Sequence, residues 1–250
     1  GAVDVGGGCL DVSAVSDMDD LWQGTLTGAY TGTAVEFGAP SVTSMTAMLS
    51  NNPQWNAPVN IYAPLVATID TFMKDIAGND VFNSSITIET SSALSLMTLA
   101  FSNLKSWNSP LRITDTSGVT HMNLAFSGAN AFNQPLYFDT SSLQDASTMF
   151  GEAFAFNQRL AHWKMSTVTF LAEMFINAHS FDRPLARWDT SSVTNMGYVF
   201  LDAASFGQGP TGTLPAPCPG AHAHAPPCPS LCPTPFTPLR SAPWNVVSGR

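Results

Sequence analysis

Phe181-Asp182-Arg183-Pro184-Leu185-Ala186-Arg187-Trp188-Asp189-Thr190-Ser191-Ser192-Val193-Thr194-Asn195-Met196 is the stretch whose reading decides the fold. It closes on Val193 and Met196, and Phe200 follows, so three apolar residues stand at i, i+3 and i+7. The same spacing occurs at Val15/Met18/Trp22, Val42/Met45/Leu49, Ile69/Phe72/Ile76 and Leu94/Met97/Phe101. It recurs at Val119/Met122/Phe126, Leu143/Ala146/Phe150 and Val168/Leu171/Phe175, eight copies in all. That spacing puts three side chains on one face of a short helix and predicts one helix per copy. Ser41, Thr68, Ser142, Thr167 and Ser192 precede the first apolar residue, where a hydroxyl caps a helical first turn.

Each copy continues the same way. Six residues after the last anchor comes an aromatic: Trp55, Phe82, Trp107, Phe132, Phe156, Phe181 or Phe206. Four further on comes Val59, Ile86, Leu111, Leu136, Leu160 or Leu185. Ile61, Ile88, Ile113 and Phe138 follow at plus two, an alternation that predicts a strand with one buried face. Trp163 and Trp188 come at plus three, which needs a bulge or a wider turn. Units this small bury their apolar face only against neighbours. The expected fold is an α/β repeat solenoid, leucine-rich-repeat-like. It has about eight coils of 24–27 residues over 15–208, each a short parallel strand plus a short helix.

The same residues carry a resemblance. Phe181 to Leu185, Trp188 to Ser191 and Val193 to Met196 are similar to the repeat of BspA-like leucine-rich repeat surface proteins, in particular the mycoplasma surface lipoprotein subgroup. Phe132-Asn133-Gln134-Pro135-Leu136 matches the first part of that pattern without change. Tight similarity covers roughly 82–206, and a looser version reaches back to about 15. Ser85 replaces the proline and Tyr62 the acidic residue in the N-terminal units. The resemblance implies a leucine-rich-repeat-like solenoid, an extracellular or cell-surface location and adhesive roles. It carries no catalytic residues.

Composition narrows the function. Net charge is −9 with only 9 Lys and Arg, so counterion release from nucleic acid is small. Repulsion from anionic lipid is expected, and no apolar run is long enough to insert in a membrane. A secretory leader is expected to be absent or already removed. His121, His162 and His179 fall in different columns and no nucleophile, phosphate-loop or metalloprotease motif accompanies them, so no enzyme and no cofactor are expected. Eleven of the 18 prolines lie in the last 42 residues, which predicts a disordered Pro-rich tail over 209–250. Residues 1–14 form an N-terminal flank. Cys218, His222, His224, Cys228 and Cys232 do not have the spacing of a compact zinc site, and no metal is expected.

Three columns remain. Asn56, Asn83, Asn108, Asn133, Asn157 and Asp182 follow the repeated aromatic and are read as a structural ladder bonded to adjacent coils. Asn83-Ser84-Ser85 is a glycosylation sequon, which burial in that ladder would hide. The Ser/Thr runs, such as Thr140-Ser141-Ser142, are read as turn chemistry and helix caps; the varying loop length there argues against a regular ice-binding lattice. The outward strand column holds Asn60, Thr87, Arg112, Tyr137, His162 and Arg187 and changes at every coil. Variety with Arg and Tyr suits recognition, so this face is the candidate site for a protein or glycan ligand. The alternative is a structural, self-associating surface component without a specific ligand.

Overall fold

The computed structural model describes residues 15–23, 34–52, 54–74 and 81–207. The flank 1–14, Ile76 and the Pro-rich tail with its cysteines lie outside them. Four strands form one parallel sheet in chain order: β1 (Val35–Gly38), β2 (Val59–Tyr62), β3 (Ile86–Glu89) and β4 (Leu111–Ile113). Val59, Ile86 and Leu111 are in register, as are Ile61, Ile88 and Ile113, all buried. A second line of parallel bridges joins Asp17, Ser44, Thr68, Leu96, His121, Asp145, Phe170 and Asn195, each residue to the next. The chain is therefore a stack of coils, bridged at one corner throughout and at a second corner only as far as β4.

The α/β solenoid with a helix in each coil is overturned: no helix occurs among the described residues. The expected helical segments are chains of β-turns. Ala125 N bonds Met122 O, Ser127 N bonds Leu124 O and Ala129 N bonds Phe126 O, at 3.1 Å each. The intervening amides leave the coil. Met122, Leu124, Phe126 and Gly128 donate to Asp145, Ser147, Met149 and Gly151 of the next coil at 2.8–2.9 Å. Half of the donors thus serve the coil and half serve the stack, which satisfies the buried backbone without an α-helix. The alternation needs a left-handed residue about every fourth position. Leu124 (φ 60) and Gly128 (φ 71), Thr148 (φ 54) and Glu152 (φ 58), and Glu173 (φ 59) and Asn177 (φ 57) supply it. A left-handed residue at the third place of a turn is the type II arrangement. A β-branched residue such as Thr148 adopts it only where the surroundings over-determine the backbone, as the two-way bonding does here.

The aromatics bind the coils together. Phe101, Phe126, Phe150, Phe175 and Phe200 form one file with centroids 5.5–5.6 Å apart. Phe132, Phe156, Phe181 and Phe206 form a second at 6.0–6.3 Å, each pair within 11° of parallel. Offset stacking adds about 0.5–1.5 kcal/mol per pair to the burial itself. The expected strands at Leu136–Phe138, Leu160–Trp163 and Leu185–Trp188 are also absent. At the two plus-three copies Trp163 N bonds Leu160 O and Trp188 N bonds Leu185 O, so the extra residue closes a turn and removes the amide a ladder would use. No described helix is long and apolar enough to cross a membrane.

Candidate recognition face

The asparagine column bonds the coils edge to edge. Asn56 Oδ1 accepts from Asn83 N, Asn83 Oδ1 from Asn108 N, and Asn108 Oδ1 from Asn133 N, at 2.8–2.9 Å. Asn133 Oδ1 accepts from Asn157 N and Asn157 Oδ1 from Asp182 N, at 2.9 and 3.0 Å. Asp182 Oδ1 accepts from Gly207 N. The following residue reaches back as well: Gln134 Nε2 to Asn108 O and Gln158 Nε2 to Asn133 O, both 2.7 Å, and Arg183 Nε to Asn157 O at 2.8 Å. The Phe-Asn-Gln motif is thus a ring, a backbone acceptor and a backward-reaching donor. The premise that the ladder buries Asn83 is corrected: Asn83 is exposed while its Oδ1 bonds Asn108 N. A side chain needs only its oxygen under the next coil to hold the ladder.

A threonine column does a related job that the sequence reading took for turn chemistry and helix capping. Thr116 Oγ1 donates to Asp139 O (3.1 Å) and accepts from Asp139 N (2.8 Å). Thr140 Oγ1 does the same with Lys164 O (3.0 Å) and Lys164 N (2.8 Å). Thr116 and Thr140 are buried at 2% and 1% exposure. Thr90 Oγ1 makes the same pair of bonds, to Asp115 O (2.8 Å) and Asp115 N (3.3 Å), just after the paired strands β3 and β4, so the hydroxyl joins the coils beside the ladder as well as beyond it. The flanking Asp residues cap the turn: Asp139 Oδ1 accepts from Ser141 N and Asp189 Oδ1 from Ser191 N, both at 3.0 Å. Hydrogen bonding from the Ser141 hydroxyl, then its amide, holds the Asp139 carboxyl below its usual range, and Lys164 adds to this. Ser191 does the same for Asp189.

The outward column is ordered by the sheet. Glu36, Asn60, Thr87 and Arg112 are direct partners across β1 to β4, and Asn60 Nδ2 bonds Glu36 Oε1 at 3.1 Å. Beside them Tyr62 and Glu89 border a shallow open hollow over the first three strands. Beyond β4 the column leaves the sheet. Tyr137 stands 84% exposed, His162 is exposed with Nε2 3.2 Å from Leu136 O, and Arg187 is exposed on the Leu185–Trp188 turn. The structure pairs Asn60, Thr87 and Arg112; it places Tyr137, His162 and Arg187 in successive coils without pairing them. The histidines stay apart: His121 Nδ1 meets Thr120 Oγ1, and His179 stacks on Phe154 at 4.8 Å. Among the described residues no group of three His, Cys, Asp or Glu could hold a metal ion.

These features define a repeat protein of stacked β-turn coils whose hydrogen-bonding side chains serve mainly the stack. The chain belongs to the family described as Mycoplasma protein of unknown function, DUF285, which matches residues 7–108 and again 95–212. The family model thus matches the chain twice, in two overlapping stretches. No curated protein and no solved structure matches the chain.

Proposed function

We propose that the chain is a non-enzymatic recognition scaffold, displayed outside the cell or on its surface, which binds a protein or glycan through the outward column from Asn60 to Arg187. Tyr137 carries the reading. At 84% exposure it stands in solvent, whereas Phe126, Phe132, Phe150, Phe156, Phe175 and Phe181 of the inner coils lie at 0%. An exposed tyrosine costs the fold apolar surface and is a favoured binding anchor with two torsions to immobilise. Arg112 and Arg187 are exposed in the same column, and no hydrogen bond or ion pair occupies either side chain. The similarity of the Phe-Asn-Gln-Pro-Leu and Trp-Asp-Thr-Ser segments to BspA-like surface proteins supports the same reading. Binding is the sum of weak contacts strengthened by display in many copies.

The test is the combined variant Arg112→Ala, Tyr137→Ala, Arg187→Ala, assayed against a glycan array and whole cells. A tenfold or larger loss of binding, in a variant that melts like the parent, is the expected result. Undiminished binding removes this face as the site.

A further inference from the structure

The coils follow one bonding rule from first to last, and the rule leaves a donor row at one end and an acceptor row at the other. Leu171, Glu173, Phe175 and Asn177 donate their amides to Asn195, Gly197, Val199 and Leu201 of the last described coil at 2.8–2.9 Å. The matching amides of that last coil, on Met196, Tyr198, Phe200 and Asp202, have no partner. At the other end Met18 and Asp20 donate to Ser44 O and Thr46 O. The carbonyls one coil earlier in that series, on Asp17, Asp19 and Leu21, accept nothing.

Side chains show the same thing. Leu21 is 41% exposed, whereas its equivalents Met48, Ala100, Ala125, Met149 and Met174 are all 0% exposed between neighbouring coils. Phe200 and Phe206 are partly exposed, whereas Phe175 and Phe181 behind them are at 0%. Tyr198 and Leu201 add 50% and 43% exposed apolar groups beside them. Among the described residues the Leu21, Phe200 and Phe206 columns are buried in the inner coils and open at the ends, while the Tyr198 and Leu201 columns are half-buried at Glu173 and Ile176 and more open in the last coil.

We infer that the two end faces bind each other, so that the occupant of each is a second copy of this chain placed head to tail. Met196, Tyr198 and Phe200 of one copy then donate to Asp17, Asp19 and Leu21 of the next, repeating the bonds made between coils within each copy. Such a contact is heterologous and open, so it builds a filament rather than a closed dimer. One face carries Asp17, Asp19 and Asp20 and the other Asp202, and screening of this like charge makes association stronger as salt rises. The inference does not depend on a ligand for the outward column.

The experiment measures mass by light scattering and sedimentation on the full chain across a concentration series, for the parent and for Leu21→Glu and Tyr198→Glu. Both substitutions are at exposed positions, and thermal melting checks that each variant is folded. The parent is expected to grow past a dimer with concentration, and more so in salt. Each variant alone is expected to stay monomeric, and their mixture to stop at a dimer, since one intact head and one intact tail remain. A parent that stays monomeric overturns the inference, whether residues 208–250 or solvent cover the face. So does a variant that polymerises like the parent, a mixture without dimers, or a mass that falls with salt.

Discussion

The coils of β1 to β4 and the coils beyond them carry the same inner rings and the same bridged corner, yet they are joined differently at the other corner. Up to Ile113 backbone pairs with backbone, as between Asn60 and Thr87 or Ile88 and Ile113. After it the strand is gone, and the pair of hydroxyl bonds that Thr90 makes beside the ladder, to Asp115 O and N, continues without a ladder at Thr116 and Thr140. The demand is identical, because a buried donor or acceptor left alone costs about 1–3 kcal/mol. The difference teaches that the hydroxyl bonds accompany the ladder where strands pair and carry on without it where they do not.

Four changes break or sharpen that comparison. The largest strikes what the two regions share. Phe150→Ala empties a position stacked on Phe126, Phe156 and Phe175, and should lose about 3–5 kcal/mol by urea denaturation. A loss under 1 kcal/mol would mean the files of rings do not carry the stack. Next, Thr140→Val keeps the shape and removes the hydroxyl, leaving Lys164 N and O unpaired, for about 1–3 kcal/mol. Thr90→Val, which removes the same pair of bonds to Asp115 beside the paired strands β3 and β4, should cost less than Thr140→Val because the ladder still holds those coils. Equal effects would erase the distinction between the regions. Third, Asn133→Leu removes the acceptor of Asn157 N and Gln158 Nε2 and should cost about 1 kcal/mol, while Asn133→Asp, which keeps the oxygen, should cost less.

The smallest effect is a pH dependence confined to the strandless coils. The Asp139 and Asp189 carboxyls are held low by Ser141 and Ser191. A lowered group contributes stability above its unfolded value and loses it as pH falls through the folded one. The melting temperature should therefore decline below about pH 4, and Asp139→Asn should flatten part of that decline. A decline unchanged in Asp139→Asn would show that this turn cap contributes nothing measurable.

Much of the packing was legible in the residues. The spacing of Phe132, Phe156 and Phe181 shows three rings in one column, and they stack at 6.3 and 6.1 Å. The asparagines were legible as bonds to the adjacent coil. The helices were not there, because i, i+3, i+7 spacing serves a chain of turns as well as it serves a helix. A signal against the helix was present in the column Asn51, Asn103, Gly128, Glu152, Asn177 and Asp202, all at positive φ and all but Glu152 of residue types that tolerate a left-handed backbone. Leu124 and Thr148 hid it, since nothing in their chemistry announces that conformation. The outward column could be named from alternation as far as Arg112. Beyond that, Trp163 and Trp188 sit one residue later, and a sequence cannot say whether the extra residue bulges a strand or closes a turn.

What the sequence determined alone is the repeat and most of the inward residues, because apolar side chains must leave water at whatever interval the chain brings them round. The register of the third copy is set by the bridges, which align Ile69 with Met45 and Met97 and not, as the spacing Ile69/Phe72/Ile76 suggested, with Val42 and Leu94. Which way each amide points was decided only by the tertiary structure. A backbone donor is satisfied equally well three residues away or one coil away, and the choice depends on whether a neighbouring coil lies within hydrogen-bonding reach.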